Sequence, residues 1–234
     1  MNLVLLSAQP EQALWEIREP RQLQHLQQHL DLKVGDQLKV GIRQGKRYLT
    51  DVQAITAERV LVKPIQELAI PEKLPVTLIV ALPRPKVLRR LVMDSVTLGV
   101  EKLVLIHSYR VDKSYWQSPF LQQLDDYVTL GLEQAGDTIA PKIELYRRFK
   151  PFVEDVLSEW TMPESPSFVA HPYAQQGLPT VKTAHCQVLI GPEGGFIPYE
   201  VELLEKYGCQ SFSLGNRILR TETAISYILG RLGI

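Results

Sequence analysis

The sequence predicts an α/β fold, a parallel sheet with covering helices, preceded by a small β-rich unit. Three observations carry this. From Val76 onward the apolar runs VTLIVAL, LVLIH, KIELY, SFVAH and QVLIG alternate with helical stretches such as PKVLRRLVMDSVTLGV, the rhythm of strand–helix–strand units. Residues 1–70 instead carry short strand-like runs. Between the two, ELAIPEKLP interrupts the pattern with Pro71 and Pro75. The expected division is therefore residues 1–73 for the β-rich unit and 74–234 for the α/β domain.

In the first unit the expected strands are Leu3 to Leu6, Gln37 to Ile42, Tyr48 to Ile55 and Arg59 to Ile65. GIRQGKRY reads as a hairpin loop with Gly41 and Gly45 as its turn residues. In the second unit PKVLRRLVMDSVTLGV has an apolar face of Val87, Leu88, Leu91 and Val92, which leaves Arg89 and Arg90 on the solvated side. Pro198 to Tyr207 is expected to be a helix, because Pro198 suits a first turn, Glu200 and Glu202 lie near its positive end, and Gly208 stops it. A short strand, QSFSL, follows. Thr221 then caps a last helix whose apolar face is Ile225, Ile228, Leu229 and Leu232.

With 234 residues, 45% of them apolar, the chain can bury a substantial core. Its 26 basic and 26 acidic residues cancel, so any nucleic-acid contact must come from local basic patches. Cys186 and Cys209 lack metal-ligand spacing and read as small buried hydrophobes of a reducing, cytoplasmic compartment. The amino terminus shows no basic leader, and no apolar run reaches the length of a membrane span, so neither secretion nor membrane insertion is expected. The five histidines are scattered and G-x-S-x-G is absent, so no metal site or hydrolase triad is expected.

The stretch LIGPEGGF ends an apolar strand in a proline, a carboxylate and three glycines. It lacks the Lys and Ser/Thr of a phosphate loop and the glycine order of a dinucleotide site, and Glu193 repels phosphate. A cationic or neutral ligand lying on main-chain amides fits better. S-adenosylmethionine, with a sulfonium, a flat adenine and no phosphate, has that character. An isolated GPEGG is equally compatible with a tight turn that binds nothing. LGNRILRTETA, from Leu214 to Ala224, changes the balance by repeating the strand-to-helix design and concentrating Arg217, Arg220, Glu222 and two threonines at one turn.

GPEGGF followed by LG-x-RILRTETA is similar to the paired carboxyl-terminal motifs of the RsmE family, uridine N3-methyltransferases of small-subunit (16S) ribosomal RNA within the SPOUT superfamily. LGVEKLVLIHS, GLEQAG at Gly131 to Gly136 and AHP at Ala170 to Pro172 extend the resemblance less sharply. It implies a PUA-like β-barrel that binds RNA, then a SPOUT-type α/β trefoil-knot domain that binds S-adenosylmethionine, assembled as a homodimer. Periodicity does not show a knot, a rare topology. The resemblance also implies a cofactor held by His171 and Pro172, by Gly191, Glu193, Gly194 and Gly195, and by Leu214, Gly215, Ile218, Leu219, Arg220 and Thr221. For the glycines a β-carbon that keeps the cofactor off the amides is an independent reason. A lone histidine such as His171 also reads as a hydrogen-bonded turn residue.

Uridine N3 becomes nucleophilic when its proton leaves, which calls for a base or solvent access and for donors to O2 and O4. Arg220 or Arg217 suits the second task, with Glu222 as base or orienting carboxylate; an acidic residue in a first helical turn also has a dipole reason to be there. The base must be unpaired or flipped. Arg84 and Lys86 in PRPKVLRR, and Arg110, Lys113, Tyr115 and Trp116 in HSYRVDKSYW, are the expected RNA contacts, the second stretch mixing cations with rings that stack. YRRFK, Tyr146 to Lys150, is a third such stretch or an exposed connector. Asp94, Thr97 and Asp137 depart from the commoner family pattern, in which lysine, glutamate and arginine stand there, and the first strand lacks the customary Arg-x-Phe. These departures lie outside the cofactor loops and bear on the RNA target. Two further readings are an RNA-binding or ribosome-assembly protein without turnover and a nucleotide-phosphate enzyme; the intact loops weigh against the first and the missing phosphate-loop lysine against the second.

Overall fold

The computed structural model describes residues 1–179 and 185–233. Two compact units are present, Met1–Glu72 with Val128–Ala140, and Lys73–Tyr127 with Pro141–Ile234. The division after Glu72 falls within ELAIPEKLP, but the second unit is not continuous in sequence, since 128–140 return to the first.

The first unit is a five-stranded sheet of β1 (Val4–Leu6), β2 (Trp15–Ile17), β3 (Gln37–Ile42), β4 (Arg47–Ile55) and β5 (Val60–Leu68) in the order β1-β3-β4-β5-β2. β1 and β3 are parallel, the other pairs antiparallel. Alternating residues Leu38, Val40 and Ile42 of β3, with Ile17, Val60 and Val62, form its core, joined by Leu23 and Leu26 from α1 (Pro20–Gln24) and the π-turn that follows it. β2 and α1 are absent from the sequence expectation. The β3–β4 turn also differs: Gly41 lies inside β3, opposite Leu5 and Arg47, and the left-handed residue is Gln44 at φ 57°. Glu133 is 1% exposed and is satisfied by both Arg21 nitrogens, at 2.7 and 3.0 Å, and by Gln22 at 2.8 Å. Asp137 is buried as well and accepts from the Ile139 amide, so this departure from the family pattern has a structural role.

The second unit is a six-stranded parallel sheet, β6 (Leu74–Ala81), β7 (Val100–Ile106), β8 (Lys142–Tyr146), β9 (Ser167–Ala170), β10 (Cys186–Ile190) and β11 (Gln210–Phe212), in the order β11-β9-β10-β6-β7-β8. Its helices are α2 (Pro85–Thr97), α3 (Leu124–Ala135, whose residues from Val128 belong to the first unit), the short α4 (Phe149–Pro151) and α5 (Ser158–Trp160) flanking a π-turn, α6 (Pro198–Lys206) and α7 (Thr221–Gly233). The central strands are apolar without alternation, with Leu78 to Ala81 and Leu103 to Ile106 all at 0% exposure, as expected where both faces are covered. The expected helices end close to their signals: Gly99 (φ 78°) closes α2 and Gly208 (φ 89°) closes α6. Ile225, Ile228 and Leu229 of α7 are buried as expected. Its cap is Arg220 rather than Thr221, since the Arg220 carbonyl accepts from Ala224 N and Thr221 is the first helical residue.

One register row crosses the whole sheet: Phe212, Ala170, Ile190, Val80, Leu105 and Leu145 are successive partners. Loops leaving the carboxyl ends of all six strands therefore start at one height. β10 sits between β6 and β9, so the GPEGGF bend emerges beside the loop after β9, and β11 brings the LGNRILRTETA bend to the other side of that loop.

Candidate active site

The three loops after β9, β10 and β11, with the start of α2, enclose a cavity of about 490 Å³, within the range of small-molecule sites. Its apolar wall includes Val87, Ile190, Leu214, Leu219 and Ala224. Its polar lining includes His171, Glu193, Arg217, Arg220 and Glu222, together with Arg84 and Arg90 from the first turns of α2.

The bends have separate reasons for their glycines. At Gly191 a β-carbon would lie 3.0 Å from Phe196 N and 3.2 Å from Gly195 C, both backbone, so the turn closes only without a side chain. Gly195 (φ 72°) and Gly215 (φ 104°) have open space around them and are glycine because their backbone is left-handed. Gly194 does not line the cavity. Its missing β-carbon would meet Arg110 Cδ at 2.9 Å, and its carbonyl accepts from Arg110 Nη1. Each of the four thus has a reason in the protein's own packing: a closed turn at Gly191, a left-handed backbone at Gly195 and Gly215, and close approach of Arg110 at Gly194.

A second tie joins the same two loops. Glu200, 2% exposed, accepts from Ile197 N at 2.9 Å, closing the first turn of α6, and from Tyr109 N at 2.7 Å. The expected dipole role of Glu200 is therefore only part of its work; Glu202 is exposed. Glu193 lies 3.7 Å from Arg84 Nε across the mouth.

Residues 71–233 match the RNA methyltransferase domain family. Ribosomal RNA small subunit methyltransferase E of Synechocystis is 30% identical to the chain over 222 residues, covering 90% of this chain and 70% of that protein. The chain belongs to the RsmE family. The enzyme of the same name from Treponema pallidum is 28% identical over 207 residues, 86% of this chain and 77% of that one. The crystal structure of ribosomal RNA small subunit methyltransferase E from Neisseria gonorrhoeae bound to S-adenosyl methionine superposes with a TM-score of 0.77 at 20% identity, covering 98% of this chain and 95% of that one.

Within this RsmE-family chain, the cavity gathers His171, Pro172, Gly191, Glu193, Gly195, Leu214, Gly215 and the turn from Arg217 to Glu222. Of the expected RNA contacts only Arg84 reaches it. Lys86, Arg110 and Lys113 are exposed and Tyr115 is half-buried. Trp116 corrects the expectation of an open stacking face: it is 8% exposed and its indole N–H donates to His107 Nδ1 at 2.9 Å. The exposed ring of that stretch is Tyr109, at 77%. Arg90 is exposed, as expected for the solvated face of α2, and also borders the cavity. Asp94, one turn on, has its carboxyl pushed above the usual range by burial and by Glu222, against the pull of Arg90. Among the described residues no group of three metal-ligating side chains occurs, and no helix is long and apolar enough to cross a membrane.

Proposed function

We propose that the protein is an S-adenosylmethionine-dependent methyltransferase that methylates N3 of a uridine in small-subunit rRNA. The observation that carries this is the cavity formed by two glycine bends on either side of the loop after β9, in a chain of the RsmE family whose relatives bear the name ribosomal RNA small subunit methyltransferase E. The residues present fit the cofactor. Val87, Ile190, Leu214 and Leu219 offer an apolar wall to adenine, the main chain at Gly191 carries no side chain to hold a ligand off it, and no lysine lines the cavity. Glu193 and Glu222 are the acidic groups of the lining and can face a sulfonium, while Arg84, Arg90, Arg217 and Arg220 around them leave cations for the RNA substrate.

When bound, S-adenosylmethionine supplies an electrophilic methyl group on a positively charged sulfur. His171 and Pro172, the bend from Gly191 through Glu193 to Gly195, and the turn from Leu214 to Thr221 hold it. Arg217 and Arg220 are exposed and have no ion-pair partner among the described residues, so their charge is available to O2 and O4 of a uracil as N3 loses its proton. Glu222 orients the base or takes the proton. Placing N3 in line with the methyl group supplies much of the acceleration, and the target base enters unpaired or flipped.

The strand order, with β10 inserted between β6 and β9 after both are laid down, supports a trefoil knot of the SPOUT type in the second unit, and the five-stranded first unit supports a PUA-like RNA-binding barrel. A homodimer and a cytoplasmic location complete the reading. The test is nucleoside mass mapping of small-subunit rRNA from cells with and without the gene, with transfer of labelled methyl by the purified protein. Loss of one 3-methyluridine and its restoration in vitro is expected; an unchanged nucleoside profile contradicts the assignment.

A further inference from the structure

The charge of this neutral chain is unevenly placed. Segments 83–90, 107–116 and 147–150 hold nine Lys or Arg and a single acid, Asp112. They leave the carboxyl ends of β6, β7 and β8, which are consecutive in the sheet and share one register row with β10. Adjacent strands are ~4.8 Å apart, so the row from the GPEGGF bend to the end of β8 spans about 15 Å. The outermost two loops are joined where His107 N donates to Tyr146 O at 2.8 Å.

We infer that this edge is a track for the single-stranded flank of the target RNA, running from the cavity mouth at Arg84 past Arg110 and Lys113 to Arg147 and Arg148. The inference rests on the rRNA methyltransferase reading and gives it a direction. Lys86, Lys113 and Arg148 are exposed and have no carboxylate within salt-bridge distance among the described residues. Arg110 is held by the Gly194 carbonyl, a contact that orients it without neutralising it. The Arg147 guanidinium lies 5.5 Å from the Trp116 ring, so the buried indole fixes a phosphate-binding cation instead of stacking on a base. Tyr109, 77% exposed beside Arg110, is the ring on this path that can stack. On the opposite side of the cavity, residues 171–179 after β9 contain no Lys or Arg, and the exposed cations of the loop after β11, Arg217 and Arg220, line the cavity itself.

The test measures salt-dependent binding of a fluorescein-labelled oligouridine, and methyl transfer to deproteinised small-subunit rRNA, for the full chain and for Arg147→Gln/Arg148→Gln. A second variant, Lys113→Gln/Arg148→Gln, avoids the Trp116 contact. Lys206→Gln, at the far end of α6 and so at the other end of the sheet, is the control. Loss of two phosphate contacts to a single strand should make the slope of log K against log[salt] shallower by about 1.4 in both double variants, with S-adenosylmethionine affinity and the control unchanged. Unchanged slopes in both double variants, with methyl transfer intact in the parent, overturn the track alone. A parent that neither takes up the cofactor nor transfers methyl overturns the underlying reading instead.

Discussion

At Gly195 and Gly215 the left-handed backbone is the functional constraint, since nothing crowds the missing side chains. Gly195→Ala should cost about 1 kcal/mol of stability from backbone strain alone and weaken cofactor affinity as the bend relaxes; thermal melts and calorimetry on the variant check both. Asp94 supplies a pH prediction. Its carboxyl is raised by burial and by Glu222, so the folded state favours the proton. Such a group adds stability below its unfolded pKa, near 4, and that contribution is lost as pH rises through the folded value. Asp94→Asn should therefore melt higher than the parent at pH 7, with the difference shrinking toward pH 4; a variant that melts lower at pH 7 contradicts this. The glycines and the Arg217 to Glu222 turn were legible because turn chemistry is local. That Arg90, exposed as expected, borders the cavity, and that Trp116 is buried, were not: which elements pack beside a segment decides this, and local periodicity leaves it open.

Among the elements, the loop after β7 and the glycine bend after β10 act as a unit, tied by Glu200 and Arg110. Hydrogen bonds to a charged acceptor contribute roughly 1.5–3 kcal/mol each, and removing a buried acceptor strands its donors. Glu200→Ala should thus destabilise the fold by about 3 kcal/mol and lower both cofactor affinity and RNA affinity, whereas Glu202→Ala, on an exposed position of the same turn, should change neither; chemical denaturation and titration of the two variants decide it. All six strands of the second unit are legible in the sequence, five as apolar runs bounded by turn signals and β11 as the short QSFSL. Their order is not, because insertion of β10 between β6 and β9 is fixed by long-range packing. In the first unit Trp15–Ile17 is too short a strand to announce itself by alternation, and its pairing with β5 completes the edge of the sheet.

For the molecule as a whole, zero net charge hides a polarised edge, and two thiols are sequestered. Burial pushes Cys186 up to about 11 and Cys209 up to about 12, so neither is thiolate at neutral pH. A disulfide reagent at pH 7.5 should titrate no thiol in the native protein and two after denaturation; rapid native reaction contradicts the burial. The claim on which the functional account turns is that the two glycine bends enclose a site for a sulfonium methyl donor and not for a nucleotide phosphate. Isothermal titration of the folded protein with S-adenosylmethionine, beside ATP and a Gly191→Trp variant, measures it most directly. Saturable uptake of S-adenosylmethionine, absent for ATP and abolished in a variant that keeps its fold by circular dichroism, is the predicted result. No uptake by the parent, or equal uptake by the variant, contradicts it.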